Sequence, residues 1–381
     1  MTSNNDPQFD VAIVGGGVAG AHAAATLLNS GASVAIVERT GNHQFITRLA
    51  AVAGRTAPVT DAAVPLTEMF DAPVMAQTAT SVRDQNVHLA DGSTVSARHV
   101  IITAGAEPVR PEIDGLDHAL PLRSAEDALA IRAAVSAADA VVIIGGGPTG
   151  CQLAGAISYT APDIDVTVVD GSDRLMANFK PALGHHAGRI LRSRGVSLSL
   201  GHDAQSLSPG SVQLEDGATV TGTPLWAAGY SASMENFGPC EDGRLKIDTY
   251  GRVQDQDRIW AAGDAAAHPN GQSLMPMSAQ IAAQAGQQVA KNVRSELAKA
   301  DTTELSLHDR GWVVDLGGGA GVAEVLGIPV ATAGLDRIVP VLHELIDVRN
   351  LWQMGGADFV RRFRSGTLRS NQKGSVLVER S

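Results

Sequence analysis

Cysteine is nearly absent from these 381 residues: only Cys151 and Cys240 occur, with no C-x-x-C or C-x₄-C pair, so no closely spaced dithiol is available for redox work. Aromatic residues make up just 4% of the chain. No apolar run reaches the roughly 18 residues that a membrane span requires, which argues against an integral membrane protein. The opening MTSNNDPQFD has neither a basic n-region nor an apolar h-region. No secretory signal is therefore expected, and the cytoplasm is the default address. Positive charge is also scarce, with 29 Lys and Arg against 40 Asp and Glu and a formal net charge of −11. A polyanion would not bind such a chain well, so nucleic acid is excluded as a partner. No metal site is predicted. The charge is uneven: from Arg349 to Ser381 seven basic residues face two acids, a basic module on an acidic body.

Glycine, by contrast, is plentiful, and its placement is informative. Val11–Gly20 reads VAIVGGGVAG and Val141–Gly150 reads VVIIGGGPTG. In each, a short apolar run predicts a buried strand, followed by glycines in G-x-G-x-x-G spacing at 15, 17, 20 and at 145, 147, 150. The first glycine permits a tight turn, the second lets backbone approach a pyrophosphate, and the third lets the following helix pack on the strand. The helix N-terminus then offers free N–H groups and partial positive charge to the phosphates. A second strand should end in an acid that takes the ribose hydroxyls roughly 20 residues on. Both copies comply, with Ser33–Val37 ending at Glu38 and Val166–Val169 ending at Asp170.

The repeat runs further than the fingerprints. Asp91-Gly92-Ser93-Thr94-Val95 recurs as Asp216-Gly217-Ala218-Thr219-Val220, and Ala104-Gly105 recurs as Ala228-Gly229 after another apolar strand. A whole nucleotide-binding unit is duplicated. Between the copies, the segment from Gly105 to Gly115 is rich in Pro and Gly and predicts a crossover. Arg258–Asp264 predicts a strand running into Gly263-Asp264, and Met277–Ser295 a long helix preceded by Pro276. Both belong spatially with the first unit, into which the second is inserted. The predicted fold is α/β, with two Rossmann-like domains and a small C-terminal α+β region. The expected division is 1–114 with 236–304, then 115–235, then 305–381. Two amphipathic helices are expected in the last part, Asp336–Asp347 and Asn350–Phe363. Their alternatives are packing on the parent domain or a dimer mate, and peripheral membrane docking at the inner face through apolar and basic side chains.

Taken together, these features resemble the two-dinucleotide flavin oxidoreductases, and within them the type II NADH dehydrogenases and their apoptosis-inducing-factor-like relatives. The resemblance covers nearly the whole chain. It rests on the paired fingerprints, Asn42-His43-Gln44-Phe45, Trp226-Ala-Ala-Gly229, Ala262-Gly263-Asp264, and Ala279-Gln280-Ile281-Ala282-Ala283-Gln284. It implies FAD in the first unit, at Gly15, Gly17, Val18, Ala19, Gly20, Glu38, Arg39, Arg48, Ala104, Gly105, Gly263, Asp264 and Ala279. It implies NADH in the second, at Gly145, Gly147, Pro148, Thr149, Gly150, Asp170, Ala228 and Gly229. The carboxylate of Asp170 favours NADH over NADPH, with Arg174 able to soften that preference. Gln280 and Gln284 match the A-Q-x-x-x-Q segment that lines the family's quinone site, and they share a helical face. Gln152 stands where relatives commonly carry glutamate, and an amide cannot take up a proton at neutral pH. Cys151 is expected to be a packed core thiol. Without a cysteine pair after Glu38, electrons must leave the flavin directly for an acceptor. A quinone is the first expectation. A small redox protein such as a ferredoxin or rubredoxin, or oxygen, is the second, and a redox-dependent binding protein the third.

Overall fold

The computed structural model describes residues 8–332 and 334–365. It opens with the strand, turn and helix that the first fingerprint dictates: β1 (Phe9–Val14), α1 (Val18–Leu28) and β2 (Val34–Val37). β1 and β2 pair in parallel, Val11 opposite Val34 and Val14 opposite Val37. All four residues of β2 are buried, as befits a strand covered on both faces. A short helix α2 (Leu49–Ala53) and strand β3 (Val74–Met75) follow, then a meander of β4 (Ala79–Arg83), β5 (Asn86–Leu89) and β6 (Thr94–Ile102). Nine-residue β6 changes partners along its length. Its start pairs antiparallel with β5, and its end enters the parallel sheet beside β1.

The second unit repeats this plan. It comprises β7 (Leu120–Pro121), α3 (Ala125–Ala137), β8 (Ala140–Ile144), α4 (Pro148–Thr160), β9 (Asp165–Asp170), α5 (Pro181–Ser193) and β10 (Ser197–Leu200). A meander of β11 (Ala204–Ser208), β12 (Ser211–Leu214) and β13 (Thr219–Thr221) leads to β14 (Thr223–Trp226). The parallel sheet has the order β7-β14-β8-β9-β10. The strand that is continuous in the first unit is broken here at Gly222, whose φ of +143° brings it against the backbone of Ala140. The duplicated turns coincide in detail. Gly92 and Gly217 both have φ of +86°, and Asp91 and Asp216 each accept the N–H two residues on at 2.9 Å.

The chain crosses between the sheets twice, side by side, where Glu107–Pro108 pairs antiparallel with Tyr230–Ser231. The second crossing returns it to the first sheet. There β15 (Ile259–Ala261) joins β6 in parallel, and α6 (Ala279–Leu297) packs on α1. That packing is close because Gly286 has no side chain: a Cβ there would lie 2.2 Å from the Ala19 carbonyl oxygen.

The C-terminal part is an antiparallel sheet of β16 (Gly311–Asp315), β17 (Gly321–Val325) and β18 (Ile328–Val330), followed by α7 (Val339–Arg364). Two helices with a break near residue 348 are not what forms. One helical turn at Asp336–Ile338 leads into a single run, interrupted at Gly356 with φ 71° and ψ −169°. Val348 and Arg349 have nothing to stop a helix, whereas glycine reaches the left-handed region without steric cost. Leu351, Met354, Phe359 and Phe363 are buried against the core shared by α1 and β1. Of the basic module, Arg369, Lys373 and Arg380 lie outside the described residues.

Candidate functional site

The two fingerprints fold into nearly superposable cradles. Gly15 and Gly145 have φ of +105° and +109°, and a Cβ on either would lie 2.4 or 2.5 Å from the carbonyl oxygen of Thr103 or Ala227. A Cβ on Gly20 or Gly150 would strike the carbonyl of Gly15 or Gly145 at 1.9 or 1.8 Å. These four glycines are required by the protein itself. Gly17 and Gly147 are different: a Cβ there meets nothing within 4 Å. Each caps its helix without any side-chain hydrogen bond, so the first-turn N–H groups face open space. Room and unspent donors at a helix N-terminus are what a pyrophosphate needs.

The middle glycine of each cradle is clamped on both sides. Gly16 N–H donates to Glu38 Oε2 at 2.7 Å, and Gly146 N–H donates to Asp170 Oδ2 at 2.6 Å. On the other side the Gly16 carbonyl accepts from buried His43 Nδ1 at 2.8 Å, whereas the Gly146 carbonyl accepts from the backbone of Met176, also at 2.8 Å. Burial pushes the His43 pKa down to about 4, so the ring is neutral and donates through Nδ1. Glu38 and Asp170 therefore shape the turn itself.

Gly15, Gly17, Val18, Ala19, Glu38, Arg39, Ala104, Gly105, Asp264 and Ala279 line one cleft of about 250 Å³. Gly20 and Gly263 pack behind it, Gly263 with φ +70° and room only for hydrogen beside Ala19. Arg48 is not part of this cleft. Its guanidinium is held by Asp61 at 2.8 Å, Glu344 at 2.6 Å and Asp347 at 2.8 Å, which ties α7 to the turn before α2. Removing this arginine would take the cationic partner away from the buried carboxylates of Asp61 and Asp347, a loss of about 3–5 kcal/mol. Three carboxylates, none of them visible from residue 48, thus engage its guanidinium.

A second cavity of about 460 Å³ opens where the cradles converge, lined among others by Pro148, Thr149, Gln152, Asp264, Ala279, Gln280 and Gln284. Residues that sequence reasoning missed complete it. Arg123 lines both this cavity and the first cleft, and Tyr230 donates its hydroxyl to the Leu122 carbonyl at 2.5 Å. Both sit beside the double crossover, whose first passage the Pro- and Gly-rich segment marked but whose pairing with Tyr230–Ser231 had no local sequence mark. Burial raises the Asp264 pKa, while Arg123 and Arg244 pull it down. Ala279, the first residue of α6, touches both spaces, so the positive end of that helix faces the junction.

The glutamines of the A-Q-x-x-x-Q segment are bound to the protein. Gln280 donates to Asp309 Oδ1 and the Gly311 carbonyl, both at 2.7 Å, and accepts from Arg310 N at 3.0 Å. Gln284 donates to the His308 carbonyl at 2.9 Å and accepts from His308 N at 3.1 Å, and Gln288 does the same with Ser306. Three amides spaced one turn apart thus bind alternate residues of the extended segment 306–310 as a neighbouring strand would. The resemblance implied that these amides line an acceptor site. In the structure both ends of each are spent on backbone, and Gln280 and Gln284 contribute to the cavity as wall.

Two other expectations resolve similarly. Cys151 is wholly buried, its thiol pushed up to about 12 by burial and by Asp170, as a core thiol should be. Arg174 donates to the carbonyls of Met176 and Ala177, which holds its guanidinium on its own turn. Instead the carboxylate of Asp203 lies against Gly171, next to Asp170. Among the described residues no group of three or more His, Cys, Asp or Glu could hold a metal ion.

The family model described as pyridine nucleotide-disulphide oxidoreductase matches residues 9–286. The curated type II NADH:quinone oxidoreductase of Staphylococcus aureus is 29% identical over 239 residues, 57% of this chain and 58% of that one. The chain thus spans little more than half the length of the curated relatives it matches. NDH2 from Plasmodium falciparum, solved in complex with NADH, aligns with a TM-score of 0.79 at 14% identity, over 94% of this chain and 98% of that one. A ferredoxin reductase from Rhodopseudomonas palustris aligns with a TM-score of 0.72 at 19% identity, over 85% and 83%. At these identities the structural likenesses establish the fold.

Proposed function

From the premise that the chain belongs to the pyridine nucleotide-disulphide oxidoreductase family, we propose that it is an FAD-dependent oxidoreductase that takes hydride from NADH and reduces a quinone. The observation that carries this reading is the convergence of two dinucleotide cradles on one cavity. The first cleft, lined by residues from 8–114 and 236–304 together with Arg123 and Ser124, holds FAD, with Gly17, Val18 and Ala19 at the pyrophosphate, Glu38 and Arg39 at the adenosine end, and Asp264 and Ala279 toward the ring. FAD, when bound, supplies the two-electron chemistry that links hydride donor to acceptor. Residues 115–235 hold NADH, with Gly147, Pro148, Thr149 and Gly150 at its pyrophosphate, Asp170 at its ribose, and Ala228 and Gly229 closing the cradle. Residues 305–381 form the contact region. Neither cysteine lines any of the cavities described, which supports direct transfer to a small acceptor over disulfide reduction.

The acceptor occupies the cavity between Gln152, the α6 wall and α7, which supports a flat, largely apolar molecule there. Leu326, Ile328, Val341, Leu345 and Trp352 are each more than half exposed, all on the C-terminal part. Among the described residues no helix is long and apolar enough to cross a membrane. We therefore take this face as a peripheral docking surface where a lipid-soluble acceptor enters.

The test is steady-state turnover with menadione, a ubiquinone analogue, ferredoxin and oxygen, each with NADH and NADPH. The expected result is quinone reduction with kcat/KM for NADH at least tenfold above that for NADPH, since the two carboxylates Asp170 and Asp203 repel a 2′-phosphate. Preference for NADPH would overturn the assignment of the second cradle. Turnover with ferredoxin alone would overturn the acceptor.

A further inference from the structure

A third cavity, of about 530 Å³, lies on the far side of the acceptor space between α2, α4, the end of β16 and α7. Thr47, Gln152 and His343 line both spaces and form the wall between them. Building on the quinone reading above, we propose that His343 delivers the proton that quinone reduction consumes, taking it from this third cavity.

The balance defines the need. NADH, a quinone and one proton give NAD⁺ and a quinol: NADH loses two electrons and one proton as hydride, and the quinol gains two electrons and two protons. One proton must come from solvent. Of the three wall residues, Gln152 cannot carry it at neutral pH, and Thr47 donates its hydroxyl to Asp347. Histidine is the side chain whose charge ordinarily changes between pH 5 and 8.

The other acids around the acceptor space are otherwise engaged. Asp347 is paired to Arg48 and Glu324 to Lys180, while the Tyr230 hydroxyl is spent on a carbonyl. Asp264 lines the inner spaces and no part of the third cavity. Among the described residues His343 has no hydrogen-bond partner or ion pair, so its ring can turn between the two spaces. The charged and titratable groups around it are Arg48 and Arg55 from the first unit, Tyr159 from α4, Asp315 from β16, and Glu344 and Asp347 from its own helix. Arg310, Glu324 and Arg349 lie on the acceptor side. Position 152 shares this wall, so a carboxylate placed there would border both spaces as His343 does.

The experiment uses the full-length FAD-loaded protein and His343→Gln, with two acceptors in single-turnover stopped flow after reduction by NADH. Menadione consumes protons, whereas ferricyanide takes electrons alone. The expected result is reoxidation by menadione slowed about a hundredfold, the low end of what a placed general acid contributes. The dependence of that rate on pH should be lost with it. Reduction by NADH and reoxidation by ferricyanide should stay within about twofold, excluding misfolding. Adding Gln152→Glu should restore much of the menadione rate. An equal loss with both acceptors, or no loss with menadione, would overturn the assignment of His343 alone. Wild-type protein that reduces no quinone at all would overturn the acceptor reading and this step with it.

Discussion

At the scale of single residues, the six fingerprint glycines separate into two kinds that spacing cannot distinguish. Gly15, Gly20, Gly145 and Gly150 are glycine because backbone lies where a Cβ would be. Gly17 and Gly147 have ordinary backbone angles, φ −70° and −73°, and empty surroundings, so nothing in the fold itself requires glycine there. This contrast gives a clean test. Gly17→Ala should fold with the thermal midpoint of the wild-type apoprotein, within a few degrees, yet bind FAD at least about tenfold more weakly, because the added methyl occupies the pyrophosphate's approach. Gly147→Ala should keep its flavin and raise KM for NADH by a similar factor. Gly15→Ala should fail to fold stably. If Gly17→Ala bound FAD with unchanged affinity, the first cradle would not be a pyrophosphate site.

At the scale of elements, strand-turn-helix units were legible because glycine and terminal acids carry steric and electrostatic demands that show in one dimension. The two glycine turns and the terminal acids Glu38 and Asp170 that clamp them were thus legible from spacing, whereas Asp264 was pointed to by the resemblance. What spacing hid were partners supplied from far along the chain. The Gln280 and Gln284 amides meet residues 308–311, Arg48 meets α7, and Arg123 reaches both spaces from the second unit. A glutamine pair four apart looks the same whether a ligand or a backbone binds it. α7 is divided in the same way: one face is committed to the core through Leu351, Met354, Phe359 and Phe363, and the other exposes Val341, Leu345 and Trp352. If that outer face docks on lipid, wild-type protein should pellet with anionic vesicles. Val341→Asp/Leu345→Asp should stay in the supernatant, retaining turnover with water-soluble menadione. A variant that still pellets would overturn lipid docking. A shift from dimer to monomer in sedimentation would assign the face to a second copy.

At the scale of the whole molecule, burial of neutral histidine couples the fold to pH. His22, His43, His99, His186 and His268 all have pKa values lowered chiefly by burial, His43 and His268 to about 4, the latter with help from Arg244. In the unfolded chain each would take a proton near pH 6.5. Below that the unfolded state binds more protons than the native one, so stability is full above about pH 7 and is lost as pH falls from 6.5 toward 4. A depression of this size is worth roughly 3 kcal/mol for each of the two deepest cases once pH 4 is reached. The carboxylates with lowered values, Asp10, Asp91 and Glu344, begin to take up protons only nearer pH 4, so the decline between pH 6.5 and 5 belongs to histidine. Because His43 holds the carbonyl of Gly16 inside the first cradle, flavin should be released along the same curve. Urea midpoints measured from pH 8 to 4.5 should therefore be flat and then fall, with flavin fluorescence rising in parallel. His43→Gln/His268→Gln should be less stable at pH 8 but lose most of the slope. Midpoints unchanged down to pH 5 would mean that these rings are not kept neutral by the fold, and the account of the Gly16 clamp would fall with them.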